Sequence, residues 1–162
     1  MSDPLLIYIR DHLAGAKAAL DLLGALQTEH AGKEFGDFCA DLLIEIEADQ
    51  GTLKDLAARL GDESISFKET VAWLASKVSQ FKVGRHAAGD LGVLEALEIL
   101  TLGIHGKLAL WRALEACSAE NEALRGLDYS LLIDRARSQQ SQTEARRLEA
   151  ARAALRPSTA RS

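Results

Sequence analysis

Proline occurs at only two positions of this 162-residue chain, Pro4 and Pro157, so residues 5–156 contain none. Proline interrupts an α-helix because it lacks a backbone N–H and because its ring clashes with the preceding turn. Alanine and leucine dominate the same stretch, β-branched residues are sparse, and aromatic residues make up only 5% of the chain. Together these features predict an all-α protein.

The length and the apolar content of the chain predict one folded domain. A chain of 162 residues can bury a hydrophobic core within a single domain, and a hydrophobic content of 48% is too high for a disordered chain. We therefore expect a single helical-bundle domain over residues 1–157. A frayed tail is expected at 158–162.

Apolar residues recur at spacings of three and four along most of the chain, as they do on the buried face of a helix. Gly32 and Gly61 follow two such runs and can end helices in a left-handed conformation. Ser66 and Glu69 have the spacing of a capping box. The predicted helices run over about residues 3–30, 33–60, 66–83, 89–117 and 128–155.

We expect these segments to form an antiparallel four-helix bundle with an additional C-terminal helix. The turn between the first two helices is short, and short turns join antiparallel neighbours. The next predicted connection, residues 61–65, is also short. An up-down-up-down bundle needs only a short link there, whereas a crossover along the bundle needs a longer one. The sequence leaves both orders open.

Three polar residues near mid-height of the predicted helices are candidates for a polar layer in the core. Asp49 falls near the middle of the apolar stripe of the second helix, and Lys107 falls toward the apolar face of the helix at 89–117. Lys17 lies at a similar height, since each of the three is roughly 21–27 Å from the start of its helix at about 1.5 Å per residue. A buried Asp49–Lys107 ion pair would fix the register of two helices.

The stretches "YIRDHLAGAKAALDLL", "EIEADQGTL" and "ALEILTLGIHGKLALWRAL" resemble an uncharacterised bacterial family of the ferritin-like superfamily, and the resemblance covers most of residues 3–155. It implies a ferritin-like four-helix bundle. Metal-binding members of that superfamily carry two Glu-x-x-His motifs, and this chain contains neither Glu-x-x-His nor Asp-x-x-His. The residues three positions before His12, His30, His86 and His105 are Ile9, Gln27, Val83 and Leu102.

We therefore expect no metal cofactor, because a protonated lysine at the height of Asp49 cannot ligate a cation and would repel it. The alternative is an atypical mono- or dinuclear iron or manganese site. Its ligands would come from Glu45, Asp49, Glu98, His105 and His12.

Charge is unevenly distributed along the chain. Residues 135–162 contain seven Arg and two Glu, a net charge of +5, so with −5 for the whole chain residues 1–134 carry −10. The pattern indicates a basic last helix lying against an acidic bundle. Few aromatic residues and an acidic body argue against nucleic-acid binding.

Several features suggest a cytoplasmic protein. The N-terminal stretch lacks the pattern of a signal peptide, and no charge-free run of about 18 apolar residues could cross a membrane. Cys39 and Cys117 are far apart in the sequence, and we interpret both as small buried hydrophobic residues in a reducing compartment.

The sequence favours a protein that is not an enzyme, because it has no phosphate-binding loop and no local support for a nucleophile–His pair. The first hypothesis is a bundle that acts by binding a protein partner or a second copy of itself. The second hypothesis is the atypical metal protein. The third is a small-molecule binder at mid-height, beside Gly103 and Gly106. The contact surface of a homodimer would comprise Ile44, Ile7, Ala14, Ala18 and Ala25.

Overall fold

The computed structural model describes residues 3–62 and 89–157, and all regular secondary structure in these ranges is helical. The prediction of an all-α protein is therefore confirmed for the described residues. The predicted helix at 66–83 and the predicted tail at 158–162 lie outside them. The helices are α1 (Pro4–Glu29), α2 (Glu34–Arg59), α3 (Asp90–Cys117), a 3-10 helix (Glu122–Leu124) and α4 (Tyr129–Ala154).

Local signals account for the ends of these helices. The Asp3 carboxylate accepts a hydrogen bond from the Leu5 N–H at 2.9 Å, which caps the first turn of α1. Asp128 caps α4 in the same way. Gly32 and Gly61 follow α1 and α2 with φ angles of 76° and 82°, a conformation that glycine adopts without strain. In residues 3–62 and 89–157, no helix combines the length and apolarity that a membrane crossing requires.

The buried apolar side chains form two clusters, one containing residues from the first half of α1 and the other residues from its second half. The first core cluster joins the first halves of α1 and α4 to the second halves of α2 and α3, and includes Ile9, Leu56, Trp111 and Ile133. The second core cluster joins the second half of α1 to the first halves of α2 and α3, and includes Leu23, Leu42 and Leu97. Ala150, near the end of α4, packs against the second cluster.

Helix α4 meets the rest of the bundle partly through ion pairs, as the uneven charge distribution predicted. An arginine-rich helix lowers its own electrostatic repulsion when carboxylates from other helices lie beside it. Within the described residues, α4 pairs with other helices through Arg135 with Asp49, Arg146 with Glu34 at 2.6 Å, and Arg147 with Glu98 at 3.6 Å.

The two cysteines lie in different environments. Cys39 is fully buried in the second core cluster, and burial raises the pKa of its thiol to about 12. Cys117, the last residue of α3, is exposed. The expectation that both cysteines are buried is therefore wrong for Cys117, because its position at a helix end removes it from the packed faces.

Candidate functional site

The most buried charged contact of the described structure joins α2 to α3. Asp49 is only 2% exposed, and its Oδ2 lies 2.5 Å from Nζ of Lys107. The guanidinium of Arg135, on α4, binds the other oxygen of the same carboxylate. One carboxylate therefore ties three helices together, and both of its oxygens accept hydrogen bonds from cations.

Gln139 completes this group from α4, where it is fully buried. Its Oε1 accepts a hydrogen bond from the Lys107 ammonium, and its Nε2 donates to Glu45 Oε2 at 2.9 Å. The side-chain amide can serve a cation and a carboxylate together because it carries both an acceptor and a donor. We call Glu45, Asp49, Lys107, Arg135 and Gln139 the ion cluster. With two carboxylates and two cations, its formal charge is zero.

The lysine of the ion cluster lies in a mostly dry environment, since its side chain is 12% exposed. Burial lowers the pKa of Lys107 below its usual 10.5, because the charged ammonium loses hydration. Asp49 opposes this shift by favouring the ammonium, and the positive charge of Arg135 adds to it. The net effect lowers the pKa of Lys107, so at a given pH a larger fraction of Lys107 is in the free-amine form than for a surface lysine.

Lys17, the third residue expected in the polar layer, lies outside the ion cluster. Its Nζ pairs with Asp21, one turn later on α1, at 2.9 Å, and its side chain is 44% exposed. The expectation rested on the depth of Lys17 along α1. Depth does not fix the direction in which a side chain points around the helix axis, so Lys17 is not a core residue.

A cavity of about 180 Å³ lies beside the ion cluster, between α1, α2 and α3. Its walls are mostly apolar, and Asp49 and Lys107 form part of them. Two further lining residues, Asp11 and Gly103, are exposed, which places an entrance between α1 and α3. We call this space the waist cavity. Small residues of α1 and α3 that line it are Gly15, Ala16, Ala19, Gly103 and Gly106.

The glycines of the waist cavity border open space. Apart from its chain neighbours and the backbone of its own helix, a Cβ atom built on Gly15, Gly103 or Gly106 would meet no heavy atom of the described residues within 4 Å. The absence of side chains at these positions therefore leaves room for the cavity. A glycine inside a helix lowers stability by roughly 0.5–1 kcal/mol relative to alanine, so three such residues at one cavity are a cost to the fold.

His12 forms part of the cavity wall on α1. Its ring packs edge-on against Tyr8, with the ring centroids 4.7 Å apart. Burial lowers the pKa of His12 below 6.5, and the nearby Asp11 carboxylate opposes this shift. The imidazole is therefore mainly neutral near neutral pH and can both donate and accept a hydrogen bond.

The residues considered as metal ligands are dispersed. Within residues 3–62 and 89–157, no three His, Cys, Asp or Glu side chains converge as a metal site would require. Glu98 is about half exposed, and exposed His105 has Nδ1 3.3 Å from Nε2 of Gln140. Asp49 and Glu45 do lie close together through Gln139, but both oxygens of Asp49 already bind cationic side chains. A metal ion there would have to displace Lys107 and Arg135.

Arg135 and Gln139 were not predicted from the sequence, because α4 is polar and only weakly amphipathic. The signal that could have found Gln139 is its spacing. Leu132, Ala136, Gln139 and Thr143 follow one another at intervals of four, three and four residues, and all four are buried. Polar residues at buried positions of such a stripe are expected to bind other polar groups in the core.

The chemistry of the site follows from its own residues. No protein-family model, curated protein or solved structure matches the chain. The site offers a neutral, hydrogen-bonded ion cluster and, beside it, an apolar cavity with one charged wall. The first can stabilise helix register, and the second can hold a molecule.

Proposed function

We propose that this chain binds a small, mostly apolar molecule in the waist cavity. The observation that carries the proposal is the cavity itself, whose volume is about 180 Å³. An engineered apolar cavity of roughly 150 Å³ in another protein binds benzene. A ligand of about that size, with one polar group, suits both the volume and the lining.

The polar residues of the wall would orient such a ligand. Lys107 uses two ammonium hydrogens on Asp49 and Gln139 among the described residues, which leaves a third for a ligand oxygen. Gln50 and neutral His12 lie on the same cavity and add uncharged hydrogen-bonding groups. Apolar walls with a few convergent polar groups are the usual design of a small-molecule site.

Benzyl alcohol is a suitable first probe, because it combines an aromatic ring with one hydroxyl group. We expect it to raise the melting temperature of the wild-type chain and to shift NMR signals of residues around the cavity. Gly103→Leu should abolish both effects by filling the space. Gly24→Leu is the matched control, because Gly24 also has open space around it and does not line the cavity. Equal responses in the two variants would refute the proposed site.

Self-association is a second candidate, favoured by two isoleucines on the outer surface. Ile44 on α2 is 64% exposed and Ile7 on α1 is 47% exposed. Ala14, expected in the same contact surface, is 2% exposed and cannot contribute. Sedimentation velocity should then show a dimer that dissociates in Ile44→Lys. A monomer over the whole concentration range would remove this candidate.

We further propose that α1 and α4 run in one direction and α2 and α3 in the other. A ferritin-like bundle of these four helices has these directions, and so does an up-down-up-down order that includes the predicted helix at 66–83. The composition of the two core clusters supports these directions, since each contains opposite halves of α1 and α3. Spin labels on exposed residues test them: Ala25 should lie much closer to Leu91 than to Ala116. At about 1.5 Å per residue the two distances should differ by roughly 20 Å or more.

A further inference from the structure

Two residues belong both to the ion cluster and to the wall of the waist cavity, and one of them carries an amine. Lys107 therefore presents a buried nitrogen nucleophile beside a space that can hold an apolar group. Amines of this kind react with carbonyl compounds to form imines. We propose that the waist cavity captures small aldehydes or ketones by forming a protonated imine at Lys107. This inference rests on the proposed function, since the apolar part of the carbonyl compound would occupy the cavity.

The contacts of Lys107 supply what the reaction needs. Asp49 Oδ2 lies 2.5 Å from Nζ and can accept a proton from the ammonium. Gln139 Oε1 accepts a second hydrogen bond from the same nitrogen. Because the nitrogen is fixed by two partners, a carbonyl carbon in the cavity would meet it in a restricted orientation, which favours reaction.

The step conserves atoms and charge without any further reactant. The Lys107 ammonium gives one proton to Asp49, and the free amine forms a bond from Nζ to the carbonyl carbon. One of the two protons left on Nζ then moves to the former carbonyl oxygen, which gives a neutral carbinolamine. The resulting carbinolamine loses that oxygen as water, with the second proton returned from Asp49. An ammonium and a carbonyl compound thus become a protonated imine and one water molecule.

The surrounding charges favour both the reactive free amine and the protonated imine that it forms. Burial lowers the pKa of Lys107, which increases the fraction of reactive amine. The protonated imine carries the same single positive charge as the ammonium, so the ion cluster stays neutral and Asp49 becomes the counter-ion. Among the described residues, the charged groups around Lys107 in the ion cluster are Asp49 and Glu45 from α2 and Arg135 from α4. The titratable groups that line the waist cavity with Lys107 are Asp49 from α2 and Asp11 and His12 from α1.

Reductive trapping tests the proposal on the intact wild-type chain. Benzaldehyde and sodium cyanoborohydride convert an imine into a stable benzyl amine, which peptide mass spectrometry locates. We expect labelling at Lys107 to be about tenfold faster than at exposed Lys33, because a buried amine with a lowered pKa is the better nucleophile near neutral pH. Labelling at Lys107 no faster than at Lys33 would overturn the proposal.

Two variants and one non-covalent probe separate this inference from the proposed function. Lys107→Arg keeps the positive charge and should lose the rapid label, while Gly103→Leu should slow labelling of Lys107 to the rate of Lys33. Rapid labelling that persists in Gly103→Leu would overturn a capture that depends on the cavity. If benzyl alcohol binds the wild-type chain and Lys107 stays unlabelled, only the imine proposal fails. If neither occurs, both proposals fail.

Discussion

Lys107 and Asp49 lie 58 residues apart in the sequence and are joined across two helices by a contact of 2.5 Å between Nζ and Oδ2. The same carboxylate binds Arg135, so the positive charges of α3 and α4 share one anion of α2. A shared buried anion makes the position of each helix depend on the other two. This dependence leads to the first prediction.

Asp49→Ala should lower the free energy of unfolding by about 3 kcal/mol, because Lys107 and Arg135 would remain in the core without their carboxylate. The expected loss is near the lower end of the range for buried pairs, since Arg135 is 26% exposed and solvent screens part of its charge. Urea unfolding measures the change. Asp41→Ala is the control, because Asp41 is an exposed carboxylate on the same helix and should change stability by less than about 0.5 kcal/mol.

The loss of stability caused by removing the Asp49 carboxylate should be partly reversed when Lys107 is replaced as well. Asp49→Leu combined with Lys107→Met removes both charges and replaces them with apolar groups of similar size. Such a replacement is often neutral or stabilising, whereas removal of one partner is not. The double variant should therefore be more stable than Asp49→Leu alone. A double variant that loses the sum of the two single losses would show that the contact has no coupling energy.

Gln139→Leu should cost about 2 kcal/mol, because Lys107 and Glu45 each lose a buried hydrogen-bond partner. Gln142 provides the comparison on the same helix. It is exposed and donates to Ser138 one turn earlier, so Gln142→Leu should change stability only slightly. Thermal unfolding of the two variants side by side measures the difference. Similar melting temperatures would mean that the amide of Gln139 contributes little.

Replacement of glycine by alanine should change the stability of the chain in opposite directions at Gly36 and Gly24. A Cβ atom on Gly36 would lie 2.2 Å from the carbonyl oxygen of His30, so Gly36→Ala should destabilise the α1–α2 turn by about 2 kcal/mol or more. Gly24 has open space around it and lies inside α1, so Gly24→Ala should stabilise the chain by roughly 0.5–1 kcal/mol. Chemical denaturation of both variants checks the signs, and a gain at Gly36 would contradict the packing of α1 against α2.

The helices were predictable from the sequence because their signals are local. The observed ends of the four α-helices differ from the predicted ends by at most one residue, and Asp3, Gly32 and Gly61 explain several of them. Caps and left-handed glycines act within one turn of the chain. Such signals require no knowledge of how the helices pack.

The candidate site was only partly predictable, because its contacts depend on packing between helices. Asp49 and Lys107 stood out as polar residues on apolar faces, and the structure places them in contact. Lys17 stood out only by its depth, which does not determine its direction, and it lies on the surface. Gln139 lies in a polar helix where no apolar contrast marks it. The small-molecule hypothesis beside Gly103 and Gly106 pointed to the α3 wall of the waist cavity. Its α1 wall consists of residues distant in sequence, so the enclosed space was not predictable from that segment alone.

Metal binding should be weak at Asp49, because a divalent cation would compete with two cationic side chains for the same carboxylate. We expect metal well below one ion per chain in protein purified without chelator from cells supplied with iron and manganese. Mass spectrometry of the metal content measures this. Stoichiometric iron or manganese that disappears in Asp49→Ala would instead establish the atypical metal site.

His12 should make stability depend on pH in a defined window. Burial lowers the pKa of His12 in the folded chain below 6.5, so over the interval between the two pKa values the unfolded chain binds a proton that the folded chain does not. The contribution of neutral His12 is therefore fully present above 6.5 and is lost as the pH falls toward the lowered pKa. The slope from this one residue is at most about 1.4 kcal/mol per pH unit.

Urea unfolding at several values between about pH 7 and about pH 5 tests this prediction, because the linkage between proton binding and stability appears directly as a slope. The wild-type chain should lose stability on acidification, and His12→Gln should lose less. His105→Gln serves as the control, since His105 is exposed and outside the waist cavity, and it should keep the wild-type slope. Equal slopes for His12→Gln and the wild-type chain would contradict the assignment of His12 as a half-buried, neutral imidazole. A bound ligand should add to the effect if it contacts neutral His12, because ligand affinity would then fall over the same pH interval as stability.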